Sequence, residues 1–346
     1  MSFDLNKIVR QNVVAMKAYS SARDEFQGAT DDMVFLDANE NPFENGVNRY
    51  PDPMQRTVKL ELAKIKGVAQ ENILLGNGSD EVIDLIFRAF CEPNQDNIIT
   101  LPPSYGMYDV SANLNCVARK EIYLTTDFQP DVKKVLKAVD NNTKVIFLCS
   151  PNNPSGNLFD YANVKALVEG FNGLVVIDEA YIDFASEPSW VARLQKHPNL
   201  IVSQTMSKAF GMAGIRLGVC YASKEIIAIL NKIKPPYNVN QLTQQKALER
   251  LLAYEDVQEE IEAILVERDH LEIALKEVSF IEKIYPSDAN FLLVKVDDAT
   301  QRYNQLIKKG IVVRNRTTQA LCKNTLRFTV GTIQENIALI KALQEI

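Results

Sequence analysis

Apolar positions along the chain follow two rhythms. Four short runs are apolar almost without interruption: "KVIFLCS" (144–150), "GLVVIDE" (173–179), "NLIVSQT" (199–205) and "LGVCYAS" (217–223). Such runs read as strands buried on both faces, because a strand with one wet face would alternate. Between and before them the apolar residues recur every three or four positions. "DYANVKALVEGF" (160–171) and "SDEVIDLIFRAF" (79–90) read as helices. So does "DPMQRTVKLELAKIKG" (52–67), with Asp52 as cap, Pro53 in the first turn and Gly67 as stop; Met54, Val58, Leu62 and Ile65 then share one face. From about 240 to 278 a charge-rich pattern predicts one or two long helices. Beyond it "NFLLVKV", "GIVVRN" and "TLRFTVG" read as strands, alternating with helices around 299–309 and 333–345. The expected architecture is α/β: a large domain whose mostly parallel sheet is covered by helices, and a smaller α/β domain at the C-terminus.

Composition narrows the class of function. A chain of 346 residues that is 46% hydrophobic and 24% charged has ample core for one or two domains. A net charge of −6 gives no footing for nucleic acid or an anionic membrane. "MSFDLNKIVR" lacks an apolar signal core and no apolar run reaches membrane-spanning length, so a cytoplasmic protein is expected. The five cysteines are scattered and suit reduced thiols, mostly buried. The two histidines, His197 and His270, form no ligand motif, so no metal is expected.

In parallel sheets ligands collect beyond the carboxyl ends of the strands. The polar residues there are the candidates. "GNGSDEV" sets Gly76 to Gly78 before a helix whose first turn holds Ser79, Asp80 and Glu81; this reads either as an anion seat of backbone N–H groups or simply as a capped helix. "CSPNNPSGN" carries Asn153 in what is otherwise an ordinary loop. Asp178 ends an apolar strand, where a carboxylate is costly without a cationic partner, and Tyr181 follows three residues on. In "TMSKAFGMAGIRLG" (205–218) Lys208 stands among Thr205, Ser207 and three glycines, with Arg216 eight residues away. A lysine amine whose pKa is lowered attacks carbonyls. An aldehyde cofactor bearing a phosphate and a pyridine ring would need such a lysine, the helix start, the hydroxyls, the arginine and a carboxylate for its ring nitrogen.

With these motifs together the chain resembles the fold-type I pyridoxal-phosphate aminotransferases, in which Asp-x-x-Tyr precedes Ser-x-Lys. Within them "ANENP", "RYPDP" and "PPYNVN" make it similar to the histidinol-phosphate branch. The likeness spans nearly the whole chain; "SPNNPSG" has serine where threonine is usual, and "KAYSSAR" lacks a proline before its tyrosine. The resemblance implies an N-terminal arm with part of the small domain over 1–45, a cofactor domain over 46–245 and a small domain over 246–346.

It also implies roles. Lys208 carries pyridoxal 5′-phosphate and moves the proton during transfer. Asp178 pairs with the ring nitrogen, Tyr181 and Asn153 bond the ring hydroxyl, and Tyr105 stacks on the ring. Gly78, Ser79, Asp80, Thr205, Ser207 and Arg216 make the phosphate site, reached by Tyr50 across a homodimer interface. Arg327 and Arg314 are the substrate's anion partners, Arg316 a possible helper, and Tyr19 and Asn39 line the same pocket. The implied reaction passes the amino group of L-histidinol phosphate to 2-oxoglutarate, giving imidazole acetol phosphate and L-glutamate in histidine biosynthesis. An aromatic-amino-acid aminotransferase or an O-phospho-amino-acid decarboxylase would use the same cofactor residues. A non-enzymatic cofactor-binding regulator would need a partner-binding module, and no winged-helix pattern or basic arm precedes the motifs.

Overall fold

A computed structural model describes residues 3–18 and 33–346 of the chain. The apolar runs form a seven-stranded sheet from β1 (Ile73–Gly76), β2 (Asn97–Thr100), β3 (Ala118–Glu121), β4 (Thr143–Cys149), β5 (Leu174–Asp178), β6 (Leu200–Thr205) and β7 (Gly218–Ala222), in the order β1-β7-β6-β5-β4-β2-β3. β2 to β6 pair parallel, whereas β7 is antiparallel to both its neighbours. The carboxyl ends of β1, β5 and β6 therefore share one edge with the amino end of β7. Every residue of β5 and β6 is buried, as continuous apolar runs require.

The smaller sheet is antiparallel. It orders β8 (Ile281–Ile284), β9 (Phe291–Val296), β10 (Arg314–Asn315) and β11 (Thr325–Thr329) as β10-β11-β9-β8. The period of two in β9 splits its side chains. Phe291 and Leu293 join the core of the large sheet, while Leu292 and Val294 join the small sheet's core. Two helices, Gln241–Leu252 and Tyr254–Leu275, connect the sheets. In the second of them, Val257 packs into the first core and Leu271 and Leu275 into the second. Among the described residues no helix is long and apolar enough to cross a membrane.

Two local expectations are corrected. The helix expected over 52–67 begins at Arg56 rather than at Pro53, because buried Gln55 takes a left-handed conformation (φ +49°) and bonds the Pro53 carbonyl through its side chain. Asp52 still serves that start, accepting the Arg56 N–H at 2.6 Å, and Gly67 ends the helix at φ +66°. "GIVVRN" yields only the two paired residues of β10. Gly310 (φ +80°) leaves the preceding helix, and the run emerges at the sheet edge with β11 on one side only.

Candidate active site

At the shared strand edge lies a cavity of about 340 Å³, closed on its far side by the β10–β11 region. β5 delivers Asp178 and β6 delivers Thr205 and, just beyond it, Ser207 and Lys208. The helix Ser79–Phe90 points its amino end at the same space and contributes Ser79 and Asp80. Tyr105, Asn153, Tyr181 and Arg216 complete the near wall, and Arg314, Arg316 and Arg327 the far one.

The helix start is shaped by backbone contact. No side chain caps it; Gly78 occupies the cap position at φ +81°. A Cβ at Gly78 would stand 2.8 Å from the Arg216 guanidinium, and one at Gly218 would stand 2.2 Å from the Ser79 nitrogen. Glycine is thus what lets β7 and Arg216 approach the first turn, leaving backbone N–H groups and the positive helix end toward the cavity. Arg216 itself is left-handed (φ +56°), a strained conformation for arginine, and its Nη2 reaches Asp80 Oδ2 at 3.3 Å. Tyr105 donates its hydroxyl to the other Asp80 oxygen at 3.0 Å.

Asp178 is only 3% exposed. It accepts the Tyr108 hydroxyl at 2.8 Å and the Ala180 N–H at 3.1 Å, and among the described residues no cationic side chain is bonded to it. Burial raises its pKa to about 6 against those two bonds, which act to lower it. Lys208 opens its surface to the cavity yet is ringed by the cavity walls. That burial, with Arg327 and Arg216 nearby, lowers its pKa, and Asp178 and Asp80 oppose the shift. Its Nζ lies 5.8 Å from the Tyr181 ring centre. Burial pushes the Tyr181 hydroxyl up, so it remains a protonated donor.

Across the cavity Arg327 Nη1 donates to Asn153 Oδ1 at 2.6 Å, and the guanidinium sits 4.9 Å over the Phe291 ring. Burial first, then Arg316, lowers the Arg327 pKa to about 10.

Two sequence candidates lie elsewhere. Asn39 and Tyr50 line a separate surface depression with Asn240 and Leu242, and Tyr50 stacks on Tyr237 at 4.5 Å. Neither borders the cavity of its own chain, where Asn39 was expected to line the pocket of the arginines. Tyr19 falls outside the described residues. The structure also adds residues. Tyr108 is fully buried yet holds Asp178, and only its place one turn after Tyr105 in "SYGMY" hinted at it. Gln319 lines the cavity with its side-chain oxygen buried and unpartnered, and nothing in its sequence context signalled that.

The family model described as "Aminotransferase class I and II" matches residues 27–343. The chain is 63% identical to histidinol-phosphate aminotransferase of Flavobacterium johnsoniae, over 99% of each chain. Its fold matches the crystal structure of the histidinol-phosphate aminotransferase from Clostridium acetobutylicum with a TM-score of 0.80 at 26% identity, over 86% of this chain and 90% of that one. The enzyme of that name from Sinorhizobium meliloti, solved in complex with pyridoxal-5′-phosphate, shares the fold with a TM-score of 0.78 at 23% identity, over 86% of this chain and 82% of that one.

Proposed function

The chain belongs to the aminotransferase class I and II family, and from that premise we propose that it transfers the amino group of L-histidinol phosphate to 2-oxoglutarate, using pyridoxal 5′-phosphate, as a cytoplasmic homodimer. The observation that carries this reading is one cavity holding a pKa-lowered lysine, a buried carboxylate hydrogen-bonded only to neutral donors and four arginines. The names of the relatives support the substrate.

The residues fit the cofactor. Asp178 is a buried carboxylate lacking a cation, and a protonated ring nitrogen supplies one. The uncapped helix start at Ser79 and Asp80, the Thr205 and Ser207 hydroxyls and Arg216 suit a phosphate. When bound, the cofactor supplies a carbonyl that exchanges amines and a ring that accepts the electrons of a broken C–H bond.

The chain's own residues do the rest. Lys208 Nζ would hold the cofactor and, once freed by the incoming amine, would take the proton from the substrate's amine-bearing carbon. Its lowered pKa makes the neutral amine, the form that accepts a proton, easier to reach than in a free lysine. Asp178 stays charged because its partner is cationic. Tyr181 and Asn153 would hold the ring oxygen, and Tyr105 would pack against the ring. Arg327 and Arg314 hold the anionic end of each substrate, fixing the reacting carbon over Lys208. Asn39 and exposed Tyr50 lie outside the cavity of their own chain, which supports a dimer in which each serves its neighbour.

The test is substrate exchange. The cofactor-loaded protein is titrated with histidinol phosphate, histidinol and phenylalanine while its absorbance is followed, and glutamate is assayed after adding 2-oxoglutarate. Histidinol phosphate should act at a concentration lower than histidinol by about 30-fold or more, since an unmatched buried charge costs about 2–5 kcal/mol. Equal reactivity of histidinol or phenylalanine overturns the substrate assignment.

A further inference from the structure

Of the four guanidiniums that line the cavity, the three on its far wall, Arg314, Arg316 and Arg327, make no ion pair with a carboxylate among the described residues. Arg314 and Arg327 are cross-strand partners in β10 and β11, and Arg316 follows two residues on, its backbone N–H bonded to the Thr325 carbonyl at 2.9 Å. After burial, Arg314 is the charge that most depresses the pKa of Arg316, and Arg316 and Arg314 both depress that of Arg327. Among the described residues Arg316 makes no side-chain hydrogen bond or ion pair, and the Nε atoms of Arg316 and Arg327 are both buried without an acceptor. Repelling cations with orphaned donors are costly to bury, so the cluster is matched to an anion that is absent from the protein itself.

The two anions that visit this seat in the proposed reaction differ. A carboxylate offers one charge and two oxygens, which a single guanidinium fork satisfies. A phosphate monoester offers about −1.5 to −2 charges and three strong acceptor oxygens. Arg327 already commits Nη1 to Asn153, and Arg314 stands beside it on the neighbouring strand. With these two engaged, a carboxylate is saturated and a phosphate is not.

Resting on the function proposed above, we propose that Arg316 is the specificity-determining residue that fits the seat to a phosphate ester. It serves the half-reaction with histidinol phosphate and adds little to the half-reaction with glutamate. Arg316 thereby lets one site accept two substrates whose distal anions differ in charge, with the surplus donor unused when the carboxylate binds.

The experiment compares the two half-reactions in cofactor-loaded wild type, Arg316→Gln and Arg316→Lys, following cofactor absorbance against substrate concentration. In Arg316→Gln the histidinol phosphate concentration for half-conversion should rise about 10-fold or more relative to that for glutamate. Arg316→Lys, which keeps the charge but not the fork, should recover part of that ratio. Inorganic phosphate should also protect the wild type from glutamate-driven conversion better than it protects Arg316→Gln. An equal shift in both half-reactions, or none in either, overturns the inference while leaving the aminotransferase reading standing. A wild-type protein that converts with glutamate but not with histidinol phosphate overturns the substrate reading, and the inference falls with it.

Discussion

A carboxylate placed at the end of a fully buried strand is the residue-scale feature from which most follows. Asp178 was legible in "VVIDEAY" because an apolar run leaves its terminal charge no solvent, so the charge must have a task. Its support was not legible: Tyr108 lies 70 positions away, and its hydroxyl meets Asp178 only once the helix Met107–Leu114 has folded into place. Replacing Asp178 by Ala should weaken cofactor binding and abolish most turnover; turnover within a few-fold of wild type would contradict the assignment. The cofactor-free chain offers a separate readout. The folded pKa of Asp178 is about 6, above the unfolded value near 4, so the folded chain holds this proton more tightly. The penalty is absent below about pH 4 and complete above about pH 6, where it amounts to about 3 kcal/mol. Cofactor-free Asp178→Asn should therefore gain stability over wild type as pH rises from 4 to 7. A difference in melting temperature that does not change with pH would show that the carboxylate is not desolvated.

At the scale of elements, the amino end of the helix Ser79–Phe90 and the start of β7 must touch for the anion seat to exist. "GNGSDEV" announced the helix start, but the reason for Gly218 was hidden. Only the antiparallel turn of β7 brings it against Gly78 and Ser79. The late start of the helix at Arg56 was hidden for a like reason, since a buried left-handed Gln55 is a tertiary choice that no cap pattern encodes. The two-residue β10 likewise follows from sheet position rather than from its apolar run. Gly218→Ala should push β7 off the helix start, costing about 1–3 kcal/mol of stability and raising the concentration of pyridoxal phosphate needed for loading. Gly214→Ala, with no atom within 4 Å of its added carbon, should change neither. Equal behaviour of the two variants in thermal melts and cofactor titrations would show that the backbone contact is irrelevant to the seat.

On the scale of the whole molecule, the site is assembled by long-range contact. Arg327 meets Asn153 across 174 residues, and neither strand pattern nor spacing could foretell it. The alternation of buried strands and helices did specify the parallel sheet, since that pattern has few packing solutions. Tyr50 and Asn39 mark where a single chain ends as an explanation. A chain carrying Lys208→Ala and a chain carrying Tyr50→Phe should regain activity when dissociated and mixed, because a hybrid dimer holds one cavity with both residues intact. Activity equal to the sum of the separate variants would place Tyr50 outside the neighbour's site.

Reactivity is the last matter of scale, for the chain holds more than one lysine of lowered pKa. Lys59 is depressed to about 8 by burial, yet it is 5% exposed on the buried face of the helix Arg56–Lys66 and does not line the cavity. The measurement that separates chemistry from burial is reduction of the pyridoxal-phosphate-loaded protein with borohydride, followed by digestion and peptide mapping. A single pyridoxyl group on Lys208 is the predicted result. A group on Lys59 or any other lysine, or none at all, would contradict the site built around Asp178 and Lys208.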